Sequence, residues 1–198
     1  FTISVTVNPR PEIPNQTATI CSGAAFTTAP TNGNPTATTI VPANTTYKWT
    51  VEANANVSGQ SNQTVAQSTI SQTLRNLTNT VQTVVYNVTP TSGAAGACQG
   101  PAFTVTVTVN PKPEIPAQTA TICSSNAFTT SPVNAAPTTI VPINTTYTWT
   151  VATNTNVTGQ SDQTTPQTNI SQTLTNITNV AQYVVYTVTP TSGADGAC

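Results

Sequence analysis

The sequence is an imperfect duplication, and this feature constrains the fold more than any other. Residues 11–22, PEIPNQTATICS, return as PEIPAQTATICS at residues 113–124. The segment NTTYKWTV at residues 44–51 returns as NTTYTWTV at residues 144–151, and residues 84–98 return as residues 184–198. The repeated unit is about 100 residues long, which is the usual size of one domain. The sequence therefore predicts two tandem domains.

The duplication is out of phase with the ends of the sequence. FTISVTVNP at residues 1–9 matches FTVTVTVNP at residues 103–111, so residues 1–7 correspond to the last strand of a repeat, which we call the closing strand. We predict a closing strand of a preceding repeat, or a donor strand, at residues 1–9. The first repeat then covers residues 10–110, and the second covers residues 111–198 and lacks its closing strand.

Two arrangements account for the offset between the repeat boundaries and the ends of the sequence. The chain is either a window of a longer tandem array, or a subunit that completes another molecule by strand addition through Phe1, Ile3, Val5 and Val7. Both arrangements predict neighbouring copies or repeats placed head to tail.

Apolar residues alternate with threonine throughout both repeats. The apolar residues of FTVTVTV at residues 103–109 share one face of a strand, and its threonines share the other. No segment shows helical periodicity, and turn residues recur at short intervals, which predicts an all-β fold of two antiparallel sandwiches. The alternation places Trp49, Tyr86, Trp149 and Tyr186 in the core. Both tyrosines lie in V-V-Y-x-V-T-P, a pattern that resembles the tyrosine corner of immunoglobulin-like folds.

Each repeat holds two cysteines at equivalent positions, Cys21 and Cys98 in the first and Cys123 and Cys198 in the second. Four cysteines allow three pairings, which the sequence alone does not distinguish. Repeat symmetry favours Cys21 with Cys98 and Cys123 with Cys198. Each of these bonds would close a loop of about 75 residues and stabilise a small core by up to ~4 kcal/mol. Disulfides also predict an oxidising, extracellular location.

Proline-rich segments of the form N-P-R/K-P-E-I-P precede each repeat. Their prolines favour polyproline II, which predicts a short, semi-rigid linker between the sandwiches. These prolines are Pro9, Pro11, Pro14, Pro111, Pro113 and Pro116.

The motifs V-T-V-N-P-x-P-x-I, T-I-C-S, T-Y-x-W-T-V and V-V-Y-x-V-T-P-T-S-G occur in this order and cover essentially the whole chain. Together they resemble the PKD-like repeats of very large surface proteins of Bacteroidota, including gliding-motility adhesins exported by the type IX route. The resemblance implies an immunoglobulin-like sandwich that serves as a repeating spacer or adhesive module at the cell surface. The Gly-Asp-Gly turn of ordinary PKD domains is replaced here by Val51, Glu52 and Ala53.

Side chains that could act in catalysis or bind a metal are scarce. The chain has four Lys and Arg residues, five Asp and Glu residues and no histidine, and its net charge is −1. Glu52 and Asp162 have Ala152 and Asn62 as their repeat counterparts, so neither belongs to a shared carboxylate pair. Asp195 stands alone in a Gly-Ala turn and does not make a calcium site, and the four cysteines form no C-x-x-C pair for zinc. We therefore expect no enzyme activity, no metal and no cofactor.

The same scarcity of charge bears on partners. Four scattered cations form no basic surface for nucleic acid, and no apolar run reaches the roughly 20 residues of a membrane-spanning helix. We expect neither nucleic-acid binding nor membrane insertion.

The leading interpretation is a structural and adhesive repeat of a large extracellular surface protein, which acts as an extended, disulfide-stabilised stalk on the bacterial outer surface. Its expected partners are neighbouring repeats or copies of the same protein, together with surface glycans or other cells. One alternative is a filament subunit that polymerises by donating residues 1–7. Another is a carbohydrate-binding accessory module of a secreted hydrolase, against which the alternation places Trp49 and Trp149 in the core rather than on an exposed platform.

Overall fold

The computed structural model describes residues 1–194 and 196–198, and all regular secondary structure in these residues is β-strand. The chain divides into two compact units. Unit 1 comprises Phe1–Asn76 and Val81–Val109, and unit 2 comprises Leu77–Thr80 and Asn110–Cys198. The predicted all-β fold with two immunoglobulin-like sandwiches is confirmed. The described residues form no helix of the length and hydropathy that crossing a membrane requires.

Unit 1 pairs a five-stranded sheet in the order β1-β9-β8-β3-β5 with a second layer in which β2 pairs with β6 and β4 with β7. The strands are β1 (Gln16–Cys21), β2 (Ala25–Thr28), β3 (Thr46–Val51), β4 (Val57–Ser58), β5 (Gln63–Gln67), β6 (Ile70–Thr73), β7 (Arg75–Asn76), β8 (Gln82–Thr91) and β9 (Phe103–Asn110).

The closing strand β9 supplies much of the core of unit 1. Its Val105, Val107 and Val109 are fully buried, whereas the threonines between them are half-buried on the other face. This is the two-residue period of a strand with one face on the core. The other apolar residues of this core include Phe26, Tyr47, Trp49, Ile70, Leu74, Val84, Tyr86 and Val88.

The closing strand also joins two neighbours that are far apart in sequence. It pairs antiparallel with β8, with Gln82 opposite Val109 and Val88 opposite Phe103, and it lies beside β1 on its other edge. The Thr104 amide donates to Asn15 Oδ1 at 2.9 Å, which places the start of β1 beside the start of β9. Strands β1 and β9 therefore run parallel, from the Phe103 end of the sheet to its Val109 end.

Unit 2 has two three-stranded sheets in the orders β13-β11-β15 and β10-β14-β12. Its strands are β10 (Asn126–Thr130), β11 (Thr146–Ala152), β12 (Val157–Thr158), β13 (Gln163–Gln167), β14 (Ile170–Asn176) and β15 (Val185–Thr191).

Two differences from unit 1 occur where a closing strand would lie. Residues 118–123, the counterpart of β1, form no strand, and β15 begins at Val185 although its counterpart β8 begins at Gln82. Both segments would have a closing strand as their neighbour. Because sheet backbone needs a partner for its N–H and C=O groups, segments without that partner do not form strands.

The proline-rich segments are held against the units rather than free. Glu12 exchanges two backbone hydrogen bonds with Ile40, at 2.9 and 2.8 Å, and Glu114 does the same with Ile140. Pro11, Pro111 and Pro113 are buried, whereas Pro9, Pro14 and Pro116 are exposed. Each segment is thus a proline-stiffened part of a sandwich surface.

Candidate functional site

An exposed apolar surface lies along β15 and the loop that precedes it in unit 2. Tyr183 is 84% exposed and Val185 is 63% exposed, and Ile177 and Val180 are exposed beside them. Strand β15 is the edge strand of its sheet. Apolar side chains on an unpaired edge are a ready template for another strand. We call this edge, together with Val184, Tyr186 and Val188, the acceptor surface.

The same positions in unit 1 are covered by the closing strand. Val84, Tyr86 and Val88 lie on β8, directly opposite residues of the closing strand in the same sheet, and are buried with exposures of 1% or less, whereas Val184, Tyr186 and Val188 are only half-buried. Leu74 and Phe26 are buried as well, and their counterparts Leu174 and Phe128 are half-buried. The core of unit 2 is therefore open along the position that β9 fills in unit 1.

The side-chain hydrogen bonds of one asparagine differ between the two units. In unit 1 the fully buried Asn76 donates from Nδ2 to the Val109 carbonyl oxygen of the closing strand at 2.9 Å. In unit 2 its counterpart Asn176 donates instead to the Val180 carbonyl oxygen, four residues along the chain, at 2.8 Å. The asparagine at this position thus anchors the closing strand in unit 1, whereas its counterpart in unit 2 bonds only to its own loop.

Residues 1–7 have the composition of a closing strand but not its surroundings. They form no strand, and all four of the side chains singled out from the sequence are exposed: Phe1, Ile3, Val5 and Val7. Five of the seven residues are identical to those at 103–109, and the two changes are Ile3 for Val105 and Ser4 for Thr106. Residues 1–7 therefore have the sequence of a closing strand but lie exposed and outside any sheet.

The cysteines correct the predicted pairing. Cys98 and Cys123 are free thiols, whereas Cys21 and Cys198 are disulfide-bonded, so neither Cys21–Cys98 nor Cys123–Cys198 is formed.

The reason for this correction is strand direction in unit 1. Cys21 ends β1 at the Val109 end of the sheet. Cys98 lies at the Phe103 end, where its carbonyl oxygen accepts from the Ser92 amide at 2.9 Å just beyond β8. Strand β9 separates these ends by about 23 Å at ~3.3 Å per residue, whereas the Cα atoms of a disulfide lie roughly 4.4–6.8 Å apart.

The predicted core aromatic residues have structural partners. Trp49 and Trp149 are each 5% exposed, and each donates from Nε1 to a backbone carbonyl oxygen, of Ser61 and Ser161 respectively, at 3.1 Å. Tyr86 is fully buried and Tyr186 is half-buried. Neither tryptophan offers an exposed face for a sugar ring.

The prediction of a tyrosine corner is wrong, because the tyrosine hydroxyls donate to side chains and not to backbone. A tyrosine corner donates its hydroxyl to backbone a few residues upstream. Here the Tyr86 hydroxyl donates to the side-chain Oε1 of Gln72 at 2.9 Å, and Tyr186 donates to Gln172 at 2.8 Å. Burial raises the pKa of the Tyr86 and Tyr186 hydroxyls because it disfavours the charged phenolate.

A polar loop network was not predicted from the sequence. Gln60 donates from Nε2 to the carbonyl oxygens of Asn54 and Val57, and its Oε1 accepts from the Asn54 amide. Asn54 in turn donates to the Thr83 carbonyl oxygen at 3.0 Å. Unit 2 repeats these bonds through Asn154 and Gln160. The signal in the sequence is N-x-N-V-x-G-Q-S, which both repeats contain.

The described acidic and cysteine side chains form no metal-binding cluster. Arg10 and Glu12 make an ion pair at 3.2 Å with both side chains at least half exposed, a geometry that contributes little to stability. No group of three or more His, Cys, Asp or Glu side chains comes together within residues 1–194 and 196–198. Asp195 lies outside the described residues.

Two β-sandwiches built on the same internal contacts, one closed by its last strand and one open, define a tandem repeat of immunoglobulin-like modules. The family model for the PKD-like domain matches residues 18–113 and 120–198. The chain therefore belongs to the PKD-like domain family. No curated protein matches it.

Proposed function

We propose that the chain is a structural repeat module of a large extracellular surface protein or filament, which extends that protein from the cell as a stalk. The observation that carries this proposal is the equivalence of the internal contacts in the two units. The tryptophan, tyrosine and Asn-Gln networks recur position by position, and each of them holds its own sandwich together. The side chains that the repeats of a spacer module share are expected to serve its fold in this way.

Surface chemistry supports an extracellular location. The outward faces of the strands carry threonine, and the whole chain has only nine charged residues. Cys21 and Cys198 are disulfide-bonded, which fits an oxidising compartment. The motif resemblance to giant adhesins of Bacteroidota supports the finer proposal of a bacterial outer-surface protein of the gliding-motility adhesin type.

We propose a non-catalytic role for the same reasons. The chain has no histidine, and the described acidic side chains do not gather into a site. Adhesion to glycans or to other cells would then occur through broad surface contact rather than through a pocket.

Labelling of intact cells tests the location. An antibody raised against this chain should label unpermeabilised source cells, and brief protease treatment of those cells should remove the label. A cytoplasmic protein of the same cells, labelled only after lysis, is the control. Label that appears only in lysed cells would contradict the proposal.

A further inference from the structure

We propose that Asn32 is a deamidation site that is protected while the loop at residues 31–41 of unit 1 is hydrogen-bonded in place, and that reacts through Gly33 when this loop opens. The chain contains one Asn-Gly pair, and the pair lies in this loop between β2 and β3. Glycine after asparagine favours deamidation because no side chain hinders its backbone nitrogen. The site does not depend on the function proposed above.

The reaction needs only the groups of this pair and water. The backbone nitrogen of Gly33 gives its proton to hydroxide and attacks Cγ of Asn32. A bond forms between the nitrogen and Cγ, the Cγ–Nδ2 bond breaks, and the leaving nitrogen takes a proton from water and departs as ammonia. Water then opens the resulting five-membered succinimide at either carbonyl carbon, which leaves an aspartate or a β-linked isoaspartate at position 32.

Solvent reaches the Asn-Gly pair in the folded unit. Both residues are exposed, and a Cβ atom built on Gly33 would meet nothing within 4 Å. Water and hydroxide therefore have access to the reacting atoms. Protection in the folded unit must come from the conformation of the loop rather than from burial.

Two hydrogen bonds hold the reacting groups in place. The Gly33 amide, whose nitrogen is the nucleophile, donates to the Thr39 carbonyl oxygen at 2.9 Å. The Oδ1 atom of Asn32 accepts from the Val41 amide at 3.1 Å. Succinimide formation deprotonates the Gly33 nitrogen and turns the Asn32 side chain onto it, so both bonds must break first. The hydrogen-bonded loop therefore opposes the reaction.

The partners of these two bonds belong to a fixed part of unit 1. Thr39 is buried with 2% of its surface exposed, and Val41 is half-buried and packs against the core. Between them, Ile40 exchanges two backbone hydrogen bonds with Glu12. The pair is thus tied to the sandwich itself, and it is released when this part of unit 1 opens.

Unit 2 repeats both hydrogen bonds around an asparagine that no glycine follows. The Val141 amide donates to Asn134 Oδ1 at 3.0 Å, and the Ala135 amide donates to the Thr139 carbonyl oxygen at 2.8 Å. The methyl group of Ala135 hinders attack by its own backbone nitrogen. Unit 2 therefore provides an internal control with the same bonds and without the reactive pair.

Deamidation would make an opening of unit 1 irreversible. An isoaspartate adds one carbon atom to the backbone and moves the carboxylate to a different carbon. The acceptor for the Val41 amide and the donor to the Thr39 carbonyl oxygen are then displaced relative to each other, so the loop does not restore both bonds. A module that has once been open long enough to react would carry a permanent covalent record of it.

Peptide mapping by mass spectrometry tests the protection. The native full chain and a synthetic peptide of residues 29–36 are kept in the same mildly alkaline buffer, and the mass gain on replacing the Asn32 amide by a carboxyl group is followed with time. The native chain should react at least about tenfold more slowly than the peptide, because two hydrogen bonds must break. Equal rates would overturn the proposal. A faster reaction in the native chain would also overturn it, since the Val41 amide would then activate the side-chain carbonyl.

A matched pair of variants tests whether these two bonds give the protection. Ala135→Gly places an Asn-Gly pair within the same bonds in unit 2. Asn134 of this variant should be protected in the native chain and should react, together with Asn32, in concentrated urea. Gly33→Ala should suppress the reaction at Asn32 in urea. Reaction of Asn134 in the native Ala135→Gly chain at the rate of a free peptide would contradict protection by these bonds.

Hydrogen exchange after refolding tests the irreversibility. Chains deamidated in urea are refolded, the isoaspartate form is identified with an isoaspartyl methyltransferase, and amide exchange is measured at residues 36–41. The isoaspartate form should exchange faster there than the parent chain. Asn32→Asp keeps the backbone and an acceptor for the Val41 amide, and should exchange like the parent chain. Equal exchange in the isoaspartate form and the parent chain would contradict the irreversible opening.

Discussion

Gly59 follows β4 at a point where the chain passes against the backbone at the end of β6. Its φ is +90°, and a Cβ atom there would clash with the carbonyl oxygen of Thr73. Gly23 has a similar φ of +85°, yet a Cβ atom there would meet nothing within 4 Å. The two glycines therefore share the backbone requirement and differ only in the space around them.

This pair gives a matched prediction at the scale of single residues. Gly23→Ala should cost unit 1 about 1 to 2 kcal/mol, the price of an alanine at positive φ. Gly59→Ala should cost roughly 1 to 3 kcal/mol more, because β4 and β6 must move apart. Urea unfolding followed by hydrogen exchange of unit 1 peptides measures both. Equal losses in the two variants would show that the close approach is not a constraint.

Tyr86 predicts how the stability of unit 1 depends on alkaline pH. Burial raises the pKa of its hydroxyl above the usual tyrosine value of 10.0, so above that pH the unfolded chain releases the proton while the folded unit retains it. Stability is then complete below pH 10 and falls as pH rises, at up to about 1.4 kcal/mol per pH unit from this group. Tyr86→Phe should flatten the decline in the free energy of unfolding, measured with urea, between about pH 10 and about pH 11.5. A decline as steep in Tyr86→Phe as in the parent chain would contradict the assignment.

Residues whose environment follows from strand alternation are predictable from the sequence, whereas residues whose environment depends on distant partners are not. Trp49 and Trp149 lie in the core as their strand period requires. The hydroxyl partner of Tyr86 is a glutamine on another strand, which a local motif does not encode. The same is true of Gln60, whose amide closes a loop around Asn54.

At the scale of elements, the closing strand determines how much of a repeat is ordered as sheet. The strand β1 and the first residues of β8 exist in unit 1, where β9 lies between them, and their counterparts in unit 2 are not strands. The local sequences are nearly the same in both repeats, so propensity does not explain the difference. Pairing does, because a strand is stabilised by its neighbours.

Asn76 and Asn176 test this dependence. Asn76→Ala removes the donor to the Val109 carbonyl oxygen in fully buried surroundings and should destabilise unit 1 by about 1 to 3 kcal/mol. Asn176→Ala removes only exposed, local bonds, to the Val180 carbonyl oxygen and from the amide and hydroxyl of Thr178, and should cost at most about 1 kcal/mol. Hydrogen exchange of the peptides that contain β9 and β15 distinguishes the two losses. A larger loss in unit 2 would contradict the anchoring role of Asn76.

The cysteines show where repeat symmetry misleads. Symmetry favoured a bond within each repeat because both repeats have cysteines at the same two positions. It carries no information on which end of the sandwich each position occupies. The parallel run of β1 beside β9 places Cys21 and Cys98 at opposite ends of unit 1, and this direction was not predicted from the sequence.

At the scale of the whole molecule, thiol chemistry tests the cysteine assignment. Iodoacetamide applied to the native, unreduced chain should alkylate Cys123, which is exposed, and more slowly Cys98, which is half-buried. Cys21 and Cys198 should react only after reduction. Peptide mapping by mass spectrometry reads all four positions. Recovery of a Cys21–Cys98 or Cys123–Cys198 disulfide peptide would contradict the structure.

The central claim is that a closing strand completes each sandwich, and a peptide of residues 1–9 tests it most directly. The peptide is added to the chain that lacks these residues, and amide exchange is followed by mass spectrometry. The account predicts new protection at residues 182–188 and 118–123 of unit 2, with none in unit 1, whose closing strand is already in place. The same peptide with Val5→Asp should give little protection. Unchanged exchange in unit 2 with the unaltered peptide, or equal protection in both units, would contradict the claim.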